Sequence, residues 1–386
     1  MKIGVIAHVK HPISDPFAGG LEMHTYALCT GLRRRGHDVT LFAAAGSADC
    51  LGLETICEPT AQAPGGFRHE HEIYLTLMEN LRRRDFDIIH NNSLHYVPPA
   101  LAGGLSIPML TVFHTPPFWE MEGSIMSTAT PNSRFVAVSS FIRDVWATIT
   151  PVEDVIHNGI DLTKFRFTPV SAAAPYAVWS GRIVPEKGLH LAIPAARQAG
   201  LNLLIAGPVS DRSYFERAIQ PLLDEQARYV GHLNQSDLAA LIGGARALLF
   251  TPLWNEPFGL VLAEALACGT PVASFARGAV AEILDETCGI IVPADDVAAL
   301  AQAVRSVQGL RRADCRKRAK AIADSVTMIA HYEALYRRLI LTTKPAFGRE
   351  MAPPGFLQIS CPRGLLDHYE ASLPVIASEI PLGLRA

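Results

Sequence analysis

The chain has 386 residues, 49% hydrophobic and 18% charged, a balance that supplies buried cores and excludes a disordered polymer. Its formal net charge of −3 gives no general attraction to nucleic acid, and no uninterrupted apolar run is long enough to cross a bilayer. Its seven cysteines are odd in number and scattered, without a Cys-x-x-Cys pair, which predicts reduced thiols, a cytoplasmic setting and no structural metal.

Two domains are expected at this length. Lys2-Ile-Gly-Val-Ile-Ala-His8 is too short and broken for a signal sequence and reads as a first buried strand over 2–8. Further strands are predicted at 38–43, 87–91, 108–113, 134–138 and 153–157, alternating with helical patterns, so the class is α/β with parallel sheets. Gly36 is placed to stop the first helix in a left-handed conformation. The runs Arg33-Arg34-Arg35 and Arg82-Arg83-Arg84 each follow a helical segment and complement its dipole; an anionic surface is the alternative partner. Phe167 to Pro175 is rich in proline and small residues and reads as a domain boundary. The rhythm resumes with strands predicted at 176–180, 201–206, 228–231, 246–251, 271–274 and 288–292. Gly188 precedes a helix, and Ser236-Asp237 is placed to cap a later one. The last amphipathic helical pattern covers about 311–340, and the proline-studded stretch 344–386 is a tail of unassigned role. Two doubly wound domains facing a cleft follow, with ligands expected at the carboxyl ends of the strands.

The chemistry concentrates in Glu256-Pro-Phe-Gly-Leu-Val-Leu-Ala-Glu264, where Glu264 is a lone charge in an apolar helical pattern. Such a carboxylate is costly to bury unless a ligand or donor meets it. Pro257 suits a first helical position, which would present the N–H groups of Phe258, Gly259 and Leu260 to an anion beside Glu256. Three other segments are expected to converge there. Gly19-Gly20, between the first strand and helix, lets backbone approach a phosphate or sugar. Ser180-Gly181-Arg182 with Lys187-Gly188, past a strand end, supplies two cations for a diphosphate. His114, with Phe118 and Trp119, ends another strand, where a neutral imidazole can meet a sugar hydroxyl. Ser139 and Asn158 also fall at strand ends and, with His8, complete the acceptor-side candidates. Two metal readings are rejected: Asp85-Phe-Asp87 lies at the strand end away from the cleft, and His69-Glu-His71-Glu lacks further ligands.

The order and spacing of Gly19-Gly20, His114, Asn158-Gly159-Ile-Asp161, Gly181-Arg182, Lys187-Gly188 and Glu256-x7-Glu264 resemble the retaining glycosyltransferases of family four. This is the glycogen-synthase-like and mannosyltransferase-like group, with the GT-B fold of two Rossmann-like domains, and the resemblance covers roughly residues 1–340. It implies an acceptor-side domain over 1–167, a nucleotide-sugar domain over 168–325 and a helix at 326–343 crossing back to the first domain. It also implies that Arg182 and Lys187 hold the donor diphosphate, that Glu256 binds the transferred sugar beside Phe258, Gly259 and Leu260, and that Glu264 takes the ribose hydroxyls. Gly19 and Gly20 would approach the phosphate, Val230 to Leu233, including His232, would meet the base, and Glu282 matches a supporting acidic position.

The implied activity is metal-independent transfer of a hexosyl group from a UDP- or GDP-sugar to a saccharide, glycolipid or small-molecule hydroxyl, with no cofactor beyond the donor. Arg182, Lys187, Glu256 and His114 would carry it, and the expected location is the cytoplasm with peripheral contact at the inner membrane face. The alternatives are a glycoside phosphorylase on the same scaffold and a non-catalytic nucleotide-sugar-binding subunit.

Overall fold

The protein is described from a computed structural model covering residues 1–64, 66–128 and 130–343. The predicted 344–386 tail lies outside these described residues. The first sheet contains β1 (Lys2–Ala7), β2 (Asp38–Ala44), β3 (Leu53–Cys57), β4 (Ile88–Asn92), β5 (Met109–Phe113) and β6 (Ser133–Ala137), ordered β3-β2-β1-β4-β5-β6. The second contains β7 (Tyr176–Ser180), β8 (Asn202–Ala206), β9 (Ala227–Gly231), β10 (Ala247–Phe250), β11 (Val272–Phe275) and β12 (Gly289–Val292), ordered β12-β11-β10-β7-β8-β9. Every strand pairing is parallel. Each domain is thus a doubly wound α/β unit of six strands. The cause is legible in β1, where Ile3, Val5, Ile6 and Ala7 are all buried, the continuous apolar run of a strand covered on both faces.

Three expectations need correction. Strand β3 was not expected, because Leu53-Glu-Thr-Ile-Cys57 is a half-exposed edge whose alternation is weak. The strand predicted over 153–157 reduces to a single bridge between Val155 and Ala137, since Val152 to Asp154 run irregularly past the end of the sheet. The pattern over 311–340 divides into two helices, Arg312–Ile322 and Ser325–Thr342, because the Asp324 side chain accepts from Val326 N and starts a new helix.

The Ser325–Thr342 helix packs on the Gly20–Arg34 helix of the first sheet's layer. A side chain at Gly31 would meet Ile329, so the glycine sets that close approach. Glu333 fixes the pair, accepting from Arg35 Nε at 2.6 Å and Arg337 Nη2 at 2.6 Å. Residues 167–175 carry neither helix nor strand. No helix among the described residues is long and apolar enough to cross a membrane.

Candidate active site

The carboxyl ends of β4, β5, β7, β8, β9 and β10 face one cavity of about 310 Å³ between the two sheets. Parallel strands all end on the same side, so the residues just past them converge there: Leu94, His114, Arg182, Pro208, His232 and Trp254. Two helices begin at its wall. The Gly20–Arg34 helix opens after Gly19, and the Leu260–Cys268 helix opens after Gly259. They meet nearly end to end, for a Cβ placed on Gly20 would lie 2.9 Å from Leu260 Cδ1. Two N-termini with their free N–H groups therefore point into one space, a strong preference for an anion.

Pro257 is not the first helical residue. Gly259 has φ of 84° and caps the helix from a left-handed conformation, so Glu256 lies on the approach loop rather than on the helix with Glu264. The loop is held from outside, with Ala279 N donating to Glu256 O at 2.9 Å.

Lys187 Nζ donates to Glu256 Oε2 at 2.7 Å and sits 5.0 Å over the Trp254 ring. Trp254 Nε1 donates to the same Oε2 at 3.0 Å. One carboxylate oxygen is therefore committed to protein, and no protein group among the described residues donates to Oε1. The ammonium retains further donors for a phosphate. Gly188, at φ of 64°, turns the chain behind Lys187, and any side chain there would collide with the Thr251 carbonyl oxygen. Arg182 is exposed, has no carboxylate partner among the described residues, and its Cδ would lie 3.9 Å from a Cβ on Gly19. It therefore reaches the opposite domain's glycine turn.

Glu264 lines the cavity one turn into its helix and is 6% exposed. No protein group among the described residues donates to it, and burial pushes its pKa up to about 7. A half-ionised carboxyl beside an open cavity is a group waiting for donors.

His114 lines the cavity, and its Nε2 contacts Asn92 Oδ1 at 2.9 Å. Burial, then the neighbouring His24, His90 and His8, hold its pKa well below the ordinary value, so the ring is neutral. Asn158 lines the same space and its buried Oδ1 has no protein partner.

Other expected residues are placed elsewhere. His8 is buried and bonded through Nε2 to Glu22 Oε1 at 2.9 Å, while Ser139 is fully buried and its hydroxyl caps the Ser140–Trp146 helix, accepting from Ile142 N at 3.1 Å. Phe118 caps the Trp119–Ser127 helix and Trp119 is 56% exposed; none of these four lines the cavity. Asn234, rather than Ser236 or Asp237, caps the Gln235–Gly244 helix. Asp85 and Asp87 both bind Lys2 at the amino ends of β1 and β4, opposite the carboxyl ends that face the cavity. No group of three His, Cys, Asp or Glu suited to a metal occurs among the described residues.

Ties between the domains flank the cavity and were not visible in the sequence, since each joins residues over a hundred positions apart. His232 Nε2 donates to Phe17 O at 2.9 Å, and Gln235 N donates to Asp15 Oδ1 at 3.2 Å. At the other side Glu282 accepts from Ser140 N and Phe141 N, both at 2.7 Å, plugging the start of the opposite domain's helix. Despite the desolvation that opposes it, hydrogen bonds from His157, Phe141 and Ser140 hold the Glu282 pKa down to about 2. The folded value is depressed, so this tie is present above the ordinary carboxylate range and is lost as pH falls from about 4.5 through 2. Glu282→Ala is expected to accelerate amide exchange at Ser140 and Phe141 and to cost about 1 kcal/mol. Unchanged exchange at those two amides would show that the carboxylate does not hold the helix.

The chain is similar to known proteins in sequence and in fold. Residues 18–164 match the model for Glycosyltransferase Family 4, and residues 163–322 match that for glycosyl transferases group 1. Glycogen synthase of Mycobacterium tuberculosis is 28% identical over 367 residues, covering 80% of this chain and 87% of its own. The phosphatidyl-myo-inositol mannosyltransferase of Mycolicibacterium smegmatis is 26% identical over 336 residues, covering 79% and 84%. The crystal structure of Anabaena HepE in complex with UDP and glucose superposes with a TM-score of 0.71 at 17% identity, covering 88% of this chain and 100% of that one. With both halves matched in order and the fold shared, the chain belongs to the family-four glycosyltransferases of the GT-B fold.

Proposed function

We propose that the protein transfers a hexosyl group from a nucleoside-diphosphate sugar to an acceptor hydroxyl, with retention of anomeric configuration and without a metal. The observation that carries this reading is the convergence of two helix N-termini with Arg182 and Lys187 on one cavity that also contains Glu256 and Glu264. As the glycosidic bond breaks, negative charge grows on the leaving diphosphate. Preorganised cations and N–H groups stabilise that charge more than they stabilise the bound donor, which is what accelerates the step. Glu256 Oε1 is free for hydroxyls of the departing sugar, and Glu264 is free for the two hydroxyls of a ribose. His114, with Asn158, faces the sugar from the other domain. The acceptor hydroxyl attacks from the face the diphosphate leaves, and a phosphate oxygen of the leaving group takes its proton.

UDP and GDP sugars both fit this description, as do the activities named for the relatives, which span a glycogen synthase and a phosphatidyl-myo-inositol mannosyltransferase. The reading places the enzyme in the cytoplasm with the acceptor entering from the first domain, by peripheral contact where that acceptor is a lipid. A panel of UDP and GDP sugars, tested for binding and then for product by mass spectrometry in excess EDTA, checks the reading. The expected result is one preferred donor and an α-linked product from an α-linked donor. Product dependent on inorganic phosphate instead of nucleotide sugar would make the protein a phosphorylase, and binding without any transfer would make it a non-catalytic subunit.

A further inference from the structure

Asn92 ends β4, is fully buried, and lies behind the cavity-lining His114. Its register partner on β1 is Ala7, and β4 lies beside β5, whose end carries His114. The chain then turns sharply at Leu94, which adopts φ of 55°, a costly conformation for a branched residue, and enters the cavity wall. This turn leaves the Asn92 carboxamide between two imidazoles. Its Oδ1 contacts His114 Nε2 at 2.9 Å and His90 Nε2 at 3.0 Å, and its Nδ2 donates to Thr25 Oγ1 at 3.4 Å.

A carboxamide oxygen has two lone pairs and no proton, so it accepts from both rings. Each imidazole must then carry its hydrogen on Nε2. His90 satisfies the complementary requirement, because its Nδ1 contacts Tyr336 OH at 2.6 Å, and the hydroxyl donates there. Tyr336 comes from the Ser325–Thr342 helix, so that helix sets the far end of the chain of hydrogen bonds. His24 packs edge-on against His114 at 4.8 Å and offers it no hydrogen bond.

We infer that Asn92 is a positioning residue that locks His114 in the Nε2–H tautomer, so that its Nδ1 lone pair accepts a hydrogen bond from a hydroxyl of the transferred sugar. The ring cannot present an N–H to the ligand without abandoning Asn92. A ligand position that cannot donate, such as a deoxygenated or methylated one, would lose this contact and leave the lone pair unmet. The tautomer lock is a property of the protein alone; its use on a sugar rests on the transfer reading above.

The test is long-range 1H–15N correlation on the full chain with 15N-labelled histidine, the His114 signal being assigned by its loss in His114→Gln. His114 is expected as the Nε2–H tautomer in wild type and in Asn92→Asp, which keeps an acceptor oxygen. It is expected as a tautomer mixture in Asn92→Leu. Rates follow the same division, with Asn92→Leu lowering kcat about tenfold while nucleoside-diphosphate affinity stays within twofold, and Asn92→Asp recovering part of the rate. A wild-type His114 that carries its hydrogen on Nδ1, or an unchanged Nε2–H spectrum in Asn92→Leu, overturns the inference. Should Asn92→Leu not fold, a shift of His114 to Nδ1–H in Asn92→Asp overturns it equally. Absence of transfer with every donor would instead remove the functional reading and leave the tautomer result standing.

Discussion

Lys187→Ala is expected to lower kcat by about 10²- to 10³-fold, the range seen when a preorganised donor to a developing oxyanion is removed. Lys187 is placed for this role by the turn at Gly188 and by its bond to Glu256, not by flexibility of its own. The substitution also strands a mostly buried carboxylate, since among the described residues Glu256 would keep only the Trp254 indole as a donor. A second effect on stability is therefore expected, on the order of 3 kcal/mol, the cost of leaving one member of a buried pair alone. Glu256→Gln on the Lys187→Ala background removes that stranded charge. It should restore much of the stability while leaving turnover as low as in the single variant. Exposed Arg182 gives the contrasting case, in which Arg182→Ala loses rate with little change in Tm. Initial rates and thermal unfolding of the four proteins decide this. Near-normal turnover in Lys187→Ala would end its assignment to the diphosphate.

The second large effect is the pH dependence set by Glu264. Its folded pKa is raised from 4.5 to about 7, so the folded state binds a proton more tightly than the unfolded chain. Stability from this group is complete below pH 4.5 and is lost as pH rises through 7. The loss is about 3 kcal/mol without ligand. Glu264→Gln should be more stable than wild type at pH 8 and indistinguishable from it near pH 4.5. The same substitution should weaken nucleoside-diphosphate binding about 10- to 100-fold, the worth of charge-assisted hydrogen bonds to ribose hydroxyls. Because those hydroxyls prefer the ionised carboxylate, binding near pH 7 should release a proton in wild type and none in Glu264→Gln. Titration calorimetry in buffers of different ionisation enthalpy measures that proton directly. Equal proton release in both proteins would assign the linkage to another group.

The sheets were legible wherever a strand is covered on both faces, as in β1 and β5, because such strands read as unbroken apolar runs. Strand β3 escaped because an edge strand holding Glu54 and Thr55 obeys no strong pattern. Glycine and charge in the second domain announced the site, since Arg182, Lys187 and Glu264 follow strand ends or interrupt an apolar helix. The start of the helix at Leu260 was misread from Pro257, for a left-handed Gly259 is a backbone choice that proline rules do not reveal. Trp254 carried a weak signal, an aromatic two residues before Glu256. Asn92 carried another, a polar residue closing a buried strand. Ser139 is a local helix cap, a serine three residues before the amide it accepts from, whereas the partners of His8 and Glu282 are set by how helices pack against strand and helix ends, which no local pattern contains.

The meeting of Gly20 with Leu260 bears on the end of the catalytic cycle as well as its beginning. In the proposed transfer, the diphosphate would acquire further negative charge as the sugar departs, while the two helix starts and two cations around it stay in place. The spent nucleotide is thus expected to be held at least as firmly as the donor it came from. Turnover would then be governed by release, with the free nucleoside diphosphate a competitive inhibitor against the donor and the cellular ratio of spent to charged nucleotide acting as a throttle on flux.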